Sequence, residues 1–431
     1  MSSKEFPTIT KLETFIVSAE GDGGDYHRQK QGHWIIDTPI SNPMSGYEQY
    51  RHSRTSWGIG VLGSLLVKVT ASDGTEGFST GFGGPPACWL IKEHFTRFVL
   101  GSDPRDTNRI WDQLFRASMF YGRKGITLAA ISAVDLAIWD LLGKLRNEPV
   151  YKLIGGRTKD KIPFYCTGPL PTETRRMGFW GAKVPLPYSP LDGFDSMRRN
   201  LDFLKAHREK VGPDYPIMVD CYMSLNVQYA IEIAQKAIDE GINIHWWEEV
   251  LHPDDFDGHK LLKAALPHVK WTTGEHEYSR YGFRKLIEGR SVDIIQPDVM
   301  WLGGMTEASQ ATPILKMSAM ASAYDIPVVP HGSGPYLTVL SASVCGSSRH
   351  EKLRKHLTDI ANSPDGKSIL PVFGSLFTNE PVPHGGSLDV SDAPGFGLEL
   401  NPNVNLIPAD RLIAPDPSKP LGPAGEEGKE K

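Results

Sequence analysis

Apolar and polar positions change rhythm along the chain, and the rhythm forecasts its elements. Ile9 to Val17 is the first strand candidate. A Gly-rich, His-containing stretch from Gly21 to about Gly46 then keeps neither a helical nor a strand period, and loops of that length are usually functional or disordered. Gly60 to Thr70 alternates, turns at the Asp73-Gly74 pair and returns as a hairpin through Gly77 and Phe78, which predicts an antiparallel sheet near the N-terminus. From Ile126 to Leu142 apolar residues crowd at helical spacing with no Gly or Pro, and Gly143 offers a stop signal. A long, well-buried helix is expected there.

Beyond Gly155 the texture becomes short apolar runs separated by amphipathic stretches: Ile162 to Cys166, Ile217 to Asp220, Ile244 to Glu248, Val292 to Gln296 and Ile326 to Pro330. Strand then helix, repeated, predicts a parallel α/β arrangement. Val227, Ala230, Ile231, Ala234, Ala237 and Ile238 fall on one helical face, with Gly241 as a C-terminal cap, so this helix is expected to pack outside a barrel strand. The last twenty or so residues are too rich in Pro, Gly and charge to bury much surface, and disorder is expected at the extreme tail.

Length and composition narrow the class without choosing a function. A chain of 431 residues accommodates a barrel of about 250 residues plus a smaller partner. Hydrophobic residues at 40%, charged residues at 23% and a net charge of -5 describe an ordinary soluble globular protein. The mild acidity is spread along the chain, which argues against nucleic acid and an anionic membrane surface as partners. Cys88, Cys166, Cys221 and Cys345 stand far apart and form no C-x-x-C pair, so they read as reduced thiols. The N-terminus lacks the apolar stretch of a signal peptide, and no run of about eighteen apolar residues stands out as a bilayer span; a cytoplasmic protein is expected.

Candidate chemistry gathers where the short apolar runs end. Asp220 closes IMVDC, Glu248 lies in HWWEE, Glu275 in TTGEH, Asp298 in IIQPD and His331 in VVPHG, at separations of 28, 27, 23 and 33 residues. A (β/α)₈ barrel spends roughly 30 residues per unit, so this spacing puts one such group at the C-terminal end of each of five successive strands, facing one mouth. A single strand-end acid is more often a solvated or salt-bridged loop residue. Three in phase would repel one another without a cation between them, and all-oxygen ligation selects a hard ion such as Mg²⁺. Asp220, Glu248 and Glu275 are the candidate ligands. Because strand side chains alternate, only one of Glu248 and Glu249 is expected to face the mouth, and periodicity does not choose between them. For His331, Asp298 on the preceding strand is placed to accept the ring's other N–H, fix its tautomer and raise its basicity, as a general base requires.

These residues resemble those of the enolase superfamily, whose members carry Asp, Glu and Glu on the third, fourth and fifth barrel strands as Mg²⁺ ligands. The His-Asp pair is similar to that of its mandelate-racemase-like branch. More narrowly, DYHRQKQGHWIIDTPISNPMSGYEQYRHSRTSWGI, VDCYMS, TTGEH, IIQPDVMWLGG, VVPHGS and PGFGLELN resemble the family of L-rhamnonate dehydratases over almost the whole chain. The resemblance implies a (β/α)7β modified TIM barrel at 156–385, an N-terminal α+β capping domain at 1–155, and a C-terminal segment at 386–431 that returns to the cap. It assigns Glu248 as the ligand of the EE pair, gives substrate contacts to His33 and Arg54, and implies a homo-oligomer. Arg54 suits a lid over a polyhydroxy acid because it presents a fork of donors. His276 looks like a second polar contact in the mouth; Lys183 in GAKVP lies near it without an assigned role.

The implied reaction is removal of the C2 proton of an acid sugar by His331, then loss of the C3 hydroxyl from the enediolate and ketonisation to a 2-keto-3-deoxy acid. Dehydration is favoured over 2-epimerisation because no Lys-x-Lys pattern surrounds Lys183 to supply a second base. A metal-dependent hydrolase is disfavoured because IPFYCTG lacks a His-x-His pair. One stretch departs from the family. Ser341 to Ile360, SASVCGSSRHEKLRKHLTDI, is basic and polar where the family carries an apolar eighth strand bearing a glutamate, and Glu351 does not take that glutamate's place. The resemblance resumes near Ala361, so an open barrel with weakened or lost turnover is the competing expectation: a sugar-acid-binding homologue that keeps its metal.

Overall fold

The computed structural model describes residues 5–17, 34–50, 63–308, 317–332, 334–343, 358–361 and 365–409. His33 and Arg54, and most of the departing stretch, lie outside them.

An antiparallel sheet of order β12-β1-β2-β3 builds the cap from β1 (Ile9–Val17), β2 (Ser64–Ala71), β3 (Glu76–Phe82) and β12 (Leu406–Pro408). The expected hairpin forms, with Gly74 at φ 88 in its turn and Asp73 Oδ1 accepting from Thr75 N at 3.0 Å. β12 comes from the far end of the chain and pairs with β1 through Val17↔Leu406. The helix Ile126–Arg146 covers this sheet; every residue from Thr127 to Gly143 is buried. Contrary to the sequence reading, this helix is long and apolar enough to cross a membrane, yet 94% of its apolar window is buried inside the protein. Gly143 also fails to stop it. The helix runs on to Arg146 and ends at Asn147, which donates its N–H to Lys144 O at 3.1 Å and whose left-handed φ of 54 turns the next N–H, that of Glu148, onto Gly143 O at 2.9 Å. Gly143 instead allows a close approach, because a Cβ there would meet Gly395 Cα at 2.6 Å.

The second sheet is the barrel. β4 (Lys161–Thr167), β5 (Ala182–Pro185), β6 (Ile217–Asp220), β7 (Trp246–Glu248), β8 (Trp271–Thr273) and β9 (Ile294–Ile295) pair in that order, all parallel. A parallel bridge from Ile295 to Val328 continues the order to the Ile326–Pro330 run. The helix Val227–Asp239 lies outside as expected, although Ala230, Ile233, Ala234 and Ala237 form its buried stripe and Ile238 is exposed. Its end is closed by Gly241 at φ 69, with Ile242 N donating to Ala237 O at 2.7 Å.

The departing stretch is corrected at its end. Thr358–Ala361 forms β10, which pairs parallel with β4 from Thr358↔Phe164 to Ala361↔Thr167. A strand therefore occupies the eighth position against the first, and β11 (Ser387–Asp389) pairs antiparallel with the other end of β4. Cys88, Cys166 and Cys221 are buried and form no disulfide among the described residues, outside which Cys345 lies.

Candidate functional site

The barrel interior has an apolar floor, and strand alternation lifts the chemistry directly above it. Tyr165, Met218, Trp246, Ile294 and Val329 form one buried cluster. Two residues further along their strands stand Asp220, Glu248, Gln296 and His331, on the same face by the period of two. Glu275 enters differently. Thr272 already faces inward, where it bonds Gln296, so strict alternation would turn Glu275 away. Gly274 breaks the phase at φ 131, a left-handed conformation where a Cβ would also press on Gln296 N at 3.1 Å.

Asp220, Glu248 and Glu275 thereby bring one oxygen each to within 4.8 Å of one another, all buried. Glu248 Oε2 accepts from Trp246 Nε1 at 2.9 Å and Gln296 Nε2 at 2.7 Å, while Asp220 Oδ1 accepts from Tyr222 N at 3.1 Å. The Lys183 ammonium, buried at 1% exposure, pairs with Glu248 and lies 3.2 Å from Asp220 Oδ2. One ammonium does not neutralise three carboxylates. Burial, reinforced by the charges of Glu248 and Glu275, raises the Asp220 carboxyl to about 8 against the pull of Lys183. Glu275 is raised by burial as well, and its buried Oε2 has no hydrogen-bond donor among the described residues. Unneutralised charge and an oxygen lacking a donor fit a small divalent cation held by oxygen ligands.

His331 stands beside this cluster. Its Nδ1 is 3.1 Å from Asp298 Oδ2 and its Nε2 3.3 Å from Glu275 Oε2. The second contact is an ion pair without hydrogen-bond geometry, which is why Glu275 Oε2 still lacks a donor. Burial alone would lower the imidazole, but Glu275 and Asp298 outweigh it and raise it to about 10. Asp298 is itself fixed by Met300 N, which donates to Oδ1 at 2.7 Å.

Glu249 corrects the expectation that only one of the two adjacent glutamates reaches the mouth. Its φ of 47 is left-handed, so its carboxylate swings back toward the site. It accepts from Thr273 Oγ1 and from Gly274 N at 3.1 Å, and its Oε2 lies 3.0 Å from His276 Nδ1. Burial opposes ionisation of Glu249, but these partners hold it down at about 2. His276 is lowered by burial yet raised to about 9 overall, chiefly by Glu249. Trp301 stands between the two imidazoles, with its ring centre 5.4 Å from each.

The structure therefore gathers Asp220, Glu248, Glu275, Asp298, His331 and His276 into one mouth. Sequence reading missed Gln296, which period two from Asp298 marks as inward, and Trp246, two before a ligand. It also missed Trp301 and the Glu249 pairing, which depend on backbone geometry that no periodicity carries.

The chain matches two family models, the "Mandelate racemase / muconate lactonizing enzyme, N-terminal domain" over residues 60–155 and "Enolase C-terminal domain-like" over 173–404. It therefore belongs to the enolase superfamily. Within it, two solved structures of rhamnonate dehydratase from Gibberella zeae are similar, one of them complexed with Mg. The Mg complex is 59% identical with TM-score 0.88, and the second structure 57% identical with TM-score 0.85; each match covers 95% of this chain and 98% of the other. At that identity and coverage this chain is a member of the rhamnonate dehydratase family. A 3,6-anhydro-D-galactonate cycloisomerase from Zobellia galactanivorans is 27% identical, with TM-score 0.66, over 91% of this chain and 97% of that one.

Proposed function

We propose that this protein is a Mg²⁺-dependent hydro-lyase that removes water from L-rhamnonate to give 2-keto-3-deoxy-L-rhamnonate. The observation that carries the reading is the His331–Asp298 pair set 3.3 Å from a carboxylate of the buried triad. The rhamnonate dehydratases it resembles support the substrate. Asp220, Glu248 and Glu275 hold the cation. What it supplies when bound is compensation for the second negative charge of an enediolate, worth roughly 8 kcal/mol for a dication at 4 Å and an effective dielectric of 20. Only that difference between ground state and transition state speeds the step.

The rest belongs to the side chains. Asp298 accepts the Nδ1–H of His331, which leaves Nε2 to take the proton from C2. The electron pair of that C–H bond passes into the carboxylate. When it returns, the C3–O bond breaks, and His331 delivers its proton to the departing hydroxide to form water. The resulting enol ketonises. Lys183 pairs with both Asp220 and Glu248 and offsets part of their charge beside the cation. His276, held by Glu249, faces a sugar hydroxyl in this reading; His33 and Arg54 supply further donors, as the resemblance implies. A homo-oligomer in the cytoplasm is the setting we propose, and light scattering on the purified protein tests its assembly.

The testing experiment incubates the protein with Mg²⁺ and a panel of aldonic acids, with mass-spectrometric detection of 2-keto-3-deoxy acid. Product from L-rhamnonate, lost in His331→Asn, is the expected result. Binding of metal and sugar acid without product would point instead to the turnover-deficient homologue.

A further inference from the structure

Just outside the mouth, Glu277 is a buried charged group that the reaction does not use. It is 2% exposed and lies two residues beyond Glu275, in the turn closed by Glu277 N donating to Gly274 O at 3.2 Å. Its carboxylate fills a slot against the helix Ser279–Glu288. A Cβ on Gly282 would sit 2.0 Å from its Oε1, so the slot exists because residue 282 has no side chain. From within the barrel, Tyr278 N donates to the same oxygen at 2.7 Å. The counter-charge comes from the cap. Lys124, between the helices Thr107–Ser118 and Ile126–Arg146, places Nζ 2.9 Å from Glu277 Oε1 and 3.3 Å from Oε2. The same ammonium lies 2.6 Å from Asp254 Oδ1, six residues after Glu248.

We propose that Lys124 is a positioning residue for the metal site: it clamps the loops that follow β7 and β8 to the cap, and through Glu277 it fixes the turn that presents Glu275. The proposal rests on the reading that Asp220, Glu248 and Glu275 hold Mg²⁺. Among the described residues, Lys124 pairs with Asp254 and Glu277 and with none of the three ligands. It acts because a buried carboxylate without its counter-ion is costly enough to leave its slot, and the short turn from Gly274 to Glu277 carries that displacement to Glu275 and His276. Surface ion pairs contribute little, so the exposed Asp254 arm is secondary and the covered Glu277 arm does the positioning.

Calorimetric titration of Mg²⁺ into wild type, Lys124→Met and Lys124→Met/Glu277→Gln tests it, beside thermal melts in chelator. Lys124→Met is expected to weaken Mg²⁺ binding by about tenfold or more, the range of supporting residues around metal ligands. The double variant is expected to regain most of that loss, because a neutral amide in place of the Glu277 carboxylate needs no counter-charge. A merely structural lysine would lower the melting temperature and leave Mg²⁺ affinity unchanged, and that result overturns the proposal. Gly282→Ala, which pushes Glu277 out with Lys124 intact, gives the same reading if Lys124→Met does not fold: undiminished binding there also overturns it. Wild type that binds no Mg²⁺ overturns the metal reading instead.

Discussion

At the scale of single residues, the site's charges are set by neighbours rather than by side-chain type. His331 is raised to about 10, although burial alone would lower it, because Glu275 and Asp298 favour its charged form. A general base must be neutral to act, so this protein needs something to offset Glu275. A dication among the three carboxylates does so, which predicts that Mg²⁺ lowers the His331 titration by a unit or more. Proton NMR of the imidazole, with and without Mg²⁺, measures it; an unmoved midpoint would sink the idea. The sign for stability follows from the same shift. With the folded value above the unfolded 6.5, the metal-free protein holds this contribution fully below pH 6.5 and loses it as pH rises through about 10. Glu249 exerts a parallel control on His276. Glu249→Gln is expected to return the His276 titration toward its ordinary range and to cut kcat by about tenfold with metal affinity kept. Metal affinity falling as far as kcat would show that Glu249 supports the ligands instead.

At the scale of elements, period two and period 3.6 made most of the scaffold readable. The runs ending at Asp220, Glu248, Asp298 and His331 announce themselves because each strand is apolar below and polar at its tip, over a buried floor of Met218, Trp246, Ile294 and Val329. What escaped is where the backbone leaves the regular path. Left-handed Glu249 and Gly274 re-aim side chains against alternation, and β10 forms from Thr358–Ala361, whose sequence carries no apolar run. There the pairing partner β4, distant in sequence, decides the structure. His33 and Arg54 rest on resemblance alone, because no local pattern marks a lid residue as a ligand contact. Gly143 shows the same limit: its sequence position suggests a stop, whereas its work is to admit the returning chain. Gly395 O accepts from Val150 N at 2.9 Å and Gly395 N donates to Glu148 O at 3.0 Å, so the segment is bonded to the chain just beyond Gly143. Gly143→Ala forces backbone apart there, and the expected cost is about 1–3 kcal/mol despite the better helix propensity of Ala. Chemical denaturation measures it; a stabilised variant would mean that the contact yields easily.

At the scale of the whole molecule, cap and barrel share a core. Leu66, Leu136 and Trp139 of the cap belong to one buried cluster with Ile295, Met305 and Tyr336 of the barrel and Phe396 of the returning segment. Polar contacts reinforce the seam: Trp139 Nε1 donates to Thr306 Oγ1 at 2.8 Å, Trp111 Nε1 to Gly303 O at 2.6 Å, and Thr306 N to Asp135 Oδ2 at 2.9 Å. These contacts brace the segment that begins at Asp298, so an element remote from the metal positions a residue of the mouth. Folding and ligation are consequently one equilibrium, and a single unfolding transition is expected by circular dichroism and tryptophan fluorescence. Free Mg²⁺ at a hundred times its Kd should then add about 2.7 kcal/mol. The metal-free protein carries the opposite term. Asp220 is raised to about 8 from an ordinary 3.8, so its stability contribution is present below pH 3.8 and lost as pH rises through about 8, where its own charge is forced in beside the other two carboxylates. Asp220→Asn removes one of those charges. It is expected to melt at least as high as wild type in chelator at pH 8, and to gain little from Mg²⁺ where wild type gains most. Equal Mg²⁺ stabilisation of both proteins would place the cation elsewhere than among Asp220, Glu248 and Glu275.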